Sequence, residues 1–587
     1  MSKDLNDDKM KSGNDGSTYR KFINKNPEIE SAIAMFLVML FAVSVIAMCK
    51  SAQGDAAVVT SITENPAEQY FYEKEYDKAI EEYTKLQEEE EWPLNLVKEA
   101  DVYSVRGEYK ISNRLLNEAS QKRNKIIDEQ GRAEYEDLDG ELGNYIAFTA
   151  LMNGDYKKAL EYGEVFLEDN KDDKELKRTL FAIYLTNGNK EKAKEILTNY
   201  NIDEKASYDL ALYGKMNMLV DNYDVAFSNL KDSWNKNKDE IKVFDIIEEM
   251  AEGNMEDTIN KITELSEENP EEKVYKVWLA KCYSMDESKT DKGIELIEEL
   301  KDEDLGNSMF SSISAEIEKN AGNTEESDAI MKSIIGKKEK TYVDYNIESQ
   351  YYFDNKEYDK ALEACKQSIL KNGDYLDNYA VLMPDIMIKK KQVELAEPYF
   401  RTALRKEPFN SRLISNIADY YNSTAKDINT AYPYYNLAVA LNPKDDTIYY
   451  SMALSDLNNN KSEEAIVQLK KAIELKGNEI TYHNTLSVIY FNNKKMDNSI
   501  EEIRAAYEID NNNIMALNNA GCYYLSNTDE IERGVDNLLG AYEKMDNNVD
   551  SETRSTITIN YEKAKQYLKD YNDNKSNATK PELQMLY

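Results

Sequence analysis

Histidine is almost missing from this sequence: His483 is the single one in 587 residues. Because histidine titrates nearest neutrality and is the commonest metal ligand, its scarcity leaves little for acid–base catalysis or a zinc centre. Cysteine is nearly as scarce. Cys49, Cys282, Cys365 and Cys522 lie far apart with no CxxC pair, which argues against a zinc knuckle and a redox couple alike. There is no glycine-rich phosphate loop, no GxSxG elbow and no complete EF-hand. Asp456-x-Asn458-x-Asn460 starts like a calcium loop but lacks the glycine at its sixth position and the acid at its twelfth. Helix breakers are few, 21 Gly and 10 Pro, which favours long helical content. Cations are outnumbered too: 73 Lys and Arg against 111 Asp and Glu give a formal net charge of −38. Such a surface repels phosphate backbones, so no nucleic-acid partner is expected, and with none of those motifs present no cofactor is expected either.

What is present is a repeated unit, stated most fully by Thr447 to Gly477. Tyr449, Met452, Ala453 and Leu457, then Ala465, Ile466, Leu469, Ala472 and Ile473, fall at the spacing of two amphipathic helices. The polar run Asn458 to Lys461 breaks them. Asn460 is placed to cap the second helix, with Glu463 completing a capping box.

This helix-turn-helix unit resembles the tetratricopeptide repeat. The small residue in the middle of the second helix recurs at Ala79, Ser112, Ala159, Ala193, Ala226, Thr258, Gly293, Ser327, Ala361, Ala396, Ala431, Ala465, Ser499 and Gly534. These spacings cluster on the family's period of roughly 34 residues. The alanines Ala79, Ala159, Ala193, Ala226, Ala361, Ala396, Ala431 and Ala465 are the expected packing positions. The family's tyrosine three residues earlier stands at Tyr76, Tyr109, Tyr156, Tyr223 and Tyr358, and its closing proline at Pro270, Pro408 and Pro443. The interval from Ser112 to Ala159 alone is long, and the extra residues near IDEQGRAEYEDLDG are expected to lengthen a helix and add a charged loop. The resemblance implies an all-α, right-handed superhelical solenoid of about fourteen repeats over residues 60–547. A capping helix at 548–571 and a flexible tail at 572–587 complete it. It implies binding, not a reaction.

Ahead of the repeats, residues 1–30 are polar and read as a disordered tail. Ser31 to Cys49 carry no charge, and Phe36, Leu37, Leu40 and Phe41 lie in this stretch, long enough to span a bilayer as one transmembrane helix. Arg20, Lys21 and Lys25 before it, against Lys50 just after, place the amino terminus in the cytoplasm and the repeats outside. Ile46-Ala47-Met48-Cys49 is similar to a lipobox, which leaves lipid anchoring at Cys49 as an alternative. Cytoplasm-facing repeats are another, since the cysteines are unpaired. Residues 50–59 form a spacer.

Residues 241–310 hold about twenty acids against eight lysines, whereas 389–476 hold about thirteen cations against eleven acids. The resemblance places partner binding on the first helices, whose concave face maps to Asn346, Gln350, Phe353, Tyr450, Leu454, Asn484, Phe491 and Asn518. Asparagine amides there suit a peptide backbone, and aromatics suit apolar anchors. His483 is expected to be packed, not catalytic. The function expected is a non-enzymatic, membrane-anchored scaffold for protein–protein interaction at a bacterial cell surface. A surface receptor for extended peptides or glycans and a cytoplasm-facing adaptor are the alternatives. Oligomeric state is left open.

Overall fold

The structure, a computed structural model, describes residues 63, 65–301, 307–546, 549–573 and 578–587. Among these every regular element is helical, with 29 α-helices and no strand. The apolar run at 31–49, with Phe36, Leu37, Leu40 and Phe41, lies outside the described residues, and no helix among those described is long and apolar enough to cross a membrane.

Helices pack in successive antiparallel pairs, for example Asp446–Asn458 with Ser462–Leu475, and Ile514–Asn527 with Ile531–Glu543. Ala79, Ala159, Ala193, Ala226, Ala361, Ala396, Ala431 and Ala465 are each fully buried. Where the pair is tightest, even a methyl is too large. A Cβ on Gly534 would lie 2.6 Å from Leu525, and one on Gly521 would lie 2.5 Å from Leu538 and 2.9 Å from the Gly534 carbonyl. The repeat tyrosines open their second helices, which run Tyr76–Glu89, Tyr109–Gln130, Tyr156–Asp169, Tyr223–Lys236 and Tyr358–Lys371.

The interhelix turn is made differently from the sequence expectation. The second helix of the most regular repeat starts at Ser462, its flanking Lys461 makes no side-chain cap, and Asn460 has φ 58°. Asn460 is therefore a left-handed turn residue, not a cap. The same place, five residues before the small residue, has positive φ in eleven turns: Gly107, Gly154, Gly188 and Gly322, five lysines, Asp221 and Asn460. Left-handed backbone costs a residue with a Cβ roughly 1–2 kcal/mol; glycine avoids that cost, and asparagine and aspartate tolerate it best.

The long interval is filled by the 22-residue helix Tyr109–Gln130 and the 17-residue helix Glu136–Met152. The join is tied down: buried Arg123 donates to both oxygens of Asp139 at 2.8 and 2.6 Å, and Trp92 stacks on Tyr135 at 4.4 Å. Burial alone would raise the Asp139 carboxyl, but Arg123, Asn170 and Arg132 together hold it below the usual carboxylate range.

An open rod is the shape a uniform repeat suggests, and the chain departs from it. One apolar core joins residues 67–220 to residues 361–452, while 211–375 form a second core between them. The solenoid therefore winds back on itself. Helix Ile428–Leu441 lies against helix Lys174–Thr186, and helix Ala396–Lys406 against helix Pro66–Tyr72. Two short π-helical stretches, Asn378–Leu382 and Tyr420–Thr424, bracket the segment that makes this closure.

Candidate functional site

The closure fills the amino-terminal groove. Residues 399–412 cross the first helices of six consecutive repeats. Tyr72 bonds Thr402 at 2.8 Å, Arg401 donates through Nε to Asp101 at 2.9 Å and through Nη2 to Ser104 at 2.9 Å, and its guanidinium lies 4.8 Å from the Phe148 ring. Arg405 sits 4.6 Å over Tyr145, and Phe181 meets Phe409 edge-on at 5.6 Å. Glu407, with no exposed surface, receives Lys242 at 2.7 Å and Tyr208 at 3.3 Å, with Lys215 at 3.7 Å. Burial would raise this carboxyl, but the two lysines hold it below the ordinary glutamate value. Arg412 pairs with Glu252 at the far end. Ion pairs this deep stand only because each charge has its partners.

The carboxy-terminal groove holds a different occupant, the extended segment Lys580 to Tyr587. Asn560 donates to the Gln584 carbonyl at 2.6 Å and accepts the Gln584 N–H at 3.0 Å. Asn519 repeats the pattern two residues on, donating to the Leu586 carbonyl and accepting its N–H, both at 2.7 Å. Asn518 adds a bond to the Gln584 carbonyl at 3.1 Å, and its own Oδ1 accepts from Asn560 at 2.8 Å. Lys563 donates to the Glu582 carbonyl at 2.9 Å. Met585 and Leu586 are buried, Leu586 in an apolar cluster with Leu517, Ala541 and Ile557. An amide side chain offers one donor and one acceptor side by side, so two asparagines spaced for residues i and i+2 read an extended backbone whatever its side chains.

The groove residues expected from sequence fall into two groups. Asn346 and Gln350 line a polar cavity of about 830 Å³ together with Lys242, Asp245, Asp377 and Arg412. There Asn346 donates to Asn378 and Gln350 to Asp354, and Phe353 packs edge-on against Tyr358 at 5.7 Å. Burial and the neighbouring Asp377 push the Asp245 carboxyl well above its usual range. At the other end, Asn518 belongs to the amide cluster, Tyr450 packs on Tyr482 at 4.9 Å, and Leu454 and Phe491 are half-buried. Asn484 is buried, and its Oδ1 has no hydrogen-bond partner among the described residues. Asn519 and Asn560 are the two that sequence reading missed. Asn519 had a signal, since it stands fifteen residues before Gly534 as Asn484 does before Ser499.

His483 is buried with its ring nitrogens 2.7 Å from a Glu502 carboxylate oxygen and 3.1 Å from the Gly477 carbonyl. Both partners are acceptors, and the Glu502 bond raises the imidazole pKa. Its role is thus a structural one, tying helix Ile480–Asn492 to Glu502 and to the Gly477 carbonyl. Cys282, Cys365 and Cys522 are free thiols and buried; burial pushes Cys282 up to about 12 and the other two higher still. Among the described residues no group of His, Cys, Asp and Glu is placed to hold a metal ion.

Residues 480–513 match the model of the tetratricopeptide repeat family. Among solved structures the fold is similar to yeast Tom70, at 16% identity over 89% of this chain and 98% of that one, with a TM-score of 0.34. It is also similar to the Cut9–Hcn1 hetero-tetramer of the APC/C, at 12% identity over 85% and 95% with a TM-score of 0.35. A third likeness is Naa15/Naa10 bound to HypK-THB, at 11% identity over 88% and 97% with a TM-score of 0.38. No curated protein matches the chain in sequence. The class the fold defines is an all-helical repeat protein, with one repeat, residues 480–513, matching the tetratricopeptide model.

Proposed function

We propose that this chain is a non-enzymatic scaffold, tethered to a bacterial membrane through residues 31–49, that holds extended polypeptide segments of its partners at the cell surface. One observation carries the binding half of this reading. Asn519 and Asn560 grip an extended backbone through paired amide bonds, with one further bond from Asn518, a recognition mode indifferent to side-chain identity. The membrane half rests on the charge-free run Ser31 to Cys49 and the cations before it. The burial of Cys282, Cys365 and Cys522 makes unpaired thiols compatible with an oxidising exterior, because they are out of reach of solvent.

The test is protease shaving of intact cells combined with a photo-crosslinking side chain at Tyr450. Digestion of the repeats with cytoplasmic markers intact, and crosslinks to envelope proteins, are the expected results. Protection of the repeats until the membrane is opened would move the scaffold to the cytoplasmic side. Absence of any crosslinked protein would remove the scaffold reading itself.

A further inference from the structure

We propose that residues 580–587 are a displaceable occupant of their own groove, and that the groove's external ligand is an uncharged extended segment of a partner protein, gripped at Asn560, Asn519 and one further rung, Asn484. This deepens the scaffold reading and rests on it.

Three observations carry the inference. The contacts that hold the segment are mostly to its backbone: the reciprocal amide pairs at Gln584 and Leu586 involve only main-chain groups, so another extended chain satisfies them equally. Apart from Lys580, whose ammonium donates to the Ser526 and Thr528 carbonyls at the groove's edge, and Glu582, the side chains in place are apolar or neutral: Leu583 to Tyr587 carry no charged side chain, and Met585 and Leu586 are the pair buried. That defines the ligand chemistry in a protein whose surface is otherwise strongly acidic. Third, the asparagine ladder is longer than the stretch that residues 580–587 use. Gln584 is held by Asn560 of helix Ser551–Asp573 together with Asn518 of helix Ile514–Asn527, and Leu586 by Asn519 of helix Ile514–Asn527 alone, so the chain runs away from the final helix toward helix Ile480–Asn492. On that helix Asn484 holds the position equivalent to Asn519, is 2% exposed, and its Oδ1 has no partner among the described residues. A buried amide oxygen left unpaired is costly, and a ligand backbone N–H is the group that the equivalent Asn519 receives. A partner segment reaching this rung gains a contact that residues 580–587 do not make.

Two forms of the protein test this, the full-length chain and a variant lacking residues 578–587, each titrated with a fluorescent synthetic peptide of residues 578–587. Circular dichroism and thermal melting confirm that the variant is folded. The inference requires the variant to bind at least ~10-fold more tightly than the full-length chain, and N-methylation of the peptide at Leu586 to abolish binding. A peptide lengthened past Tyr587 by a few alanines binds more tightly still, and Asn484→Leu erases that gain while leaving the shorter peptide unaffected. Equal binding to both forms overturns the occupant claim. Full-length chains that exchange the segment and elute as dimers overturn the partner-protein claim, since the ligand is then a second copy. If crosslinked partners persist while peptide binding ignores residues 578–587, this inference fails and the scaffold reading survives. If the folded variant takes no extended peptide and no partner crosslinks, both fail.

Discussion

At one end of the coil a helix and the turn after it fill the groove of six repeats; at the other, a few residues of extended chain lie between the last repeat and the final helix. The first occupant brings large apolar side chains, Tyr399, Leu404 and Phe409, and buried charges, Arg401 and Glu407, each met by a partner on the facing helices. It is continuous at both ends with packed helices, so its ordering cost is shared with the fold. The second brings two buried side chains, each adding roughly 1.5–3 kcal/mol when fully buried, and a handful of amide bonds of about 1 kcal/mol each. Ordering each of its residues costs about 1–2 kcal/mol. Gain and cost are of the same size, so the segment sits near balance. The same groove architecture thus serves as core in one place and as exchangeable site in the other.

The comparison breaks most sharply at Glu407. Glu407→Ala takes from fully buried Lys242 its ion-pair partner, while Lys215 keeps Glu249 at 2.8 Å, and is expected to cost about 3–5 kcal/mol, read as a fall in the urea midpoint. By contrast Asn519→Ala is expected to leave that midpoint nearly unchanged while making residues 580–587 the first site of limited proteolysis. Acid sharpens the contrast. The folded pKa of Glu407 lies below its unfolded value, so its contribution is complete above about pH 4.3 and is lost as pH falls through the folded value. Stability measured between pH 6 and pH 3 is expected to drop steeply for the natural chain and less for Glu407→Gln. The smallest effect belongs to the turns. Lys356→Gly relieves a left-handed lysine at φ 60° and is expected to stabilise by roughly 0.5–1 kcal/mol in a thermal melt.

Periodicity made the helix pairs legible, because burying one face of each helix forces the 3.6-residue pattern and the small residue at the crossing. Ala465 and Tyr449 show this directly. Closure was not legible: Arg401 and Glu407 look like solvated residues at the end of a second helix, and nothing in local spacing says that residues some 200 to 300 positions earlier will surround them. Of the asparagines that sequence placed in the groove, Asn518 adds one bond to the Gln584 carbonyl and Asn484 lies on the neighbouring first helix, whereas the reciprocal backbone pairs belong to Asn519 and Asn560. Asn560 lies in the final helix Ser551–Asp573, outside the repeat register, and so had no template to expose it. Asn460 was misread because a capping box and a left-handed turn use the same residue type; only backbone geometry separates them.

Hydrogen–deuterium exchange on the full-length chain tests the two-groove account most directly. The account predicts that amides of residues 399–413 exchange with the slowest of the core, while those of Gln584 and Leu586 exchange orders of magnitude faster despite their bonds to Asn560 and Asn519. Fast exchange across 399–413, or equal protection of the two occupants, would contradict it.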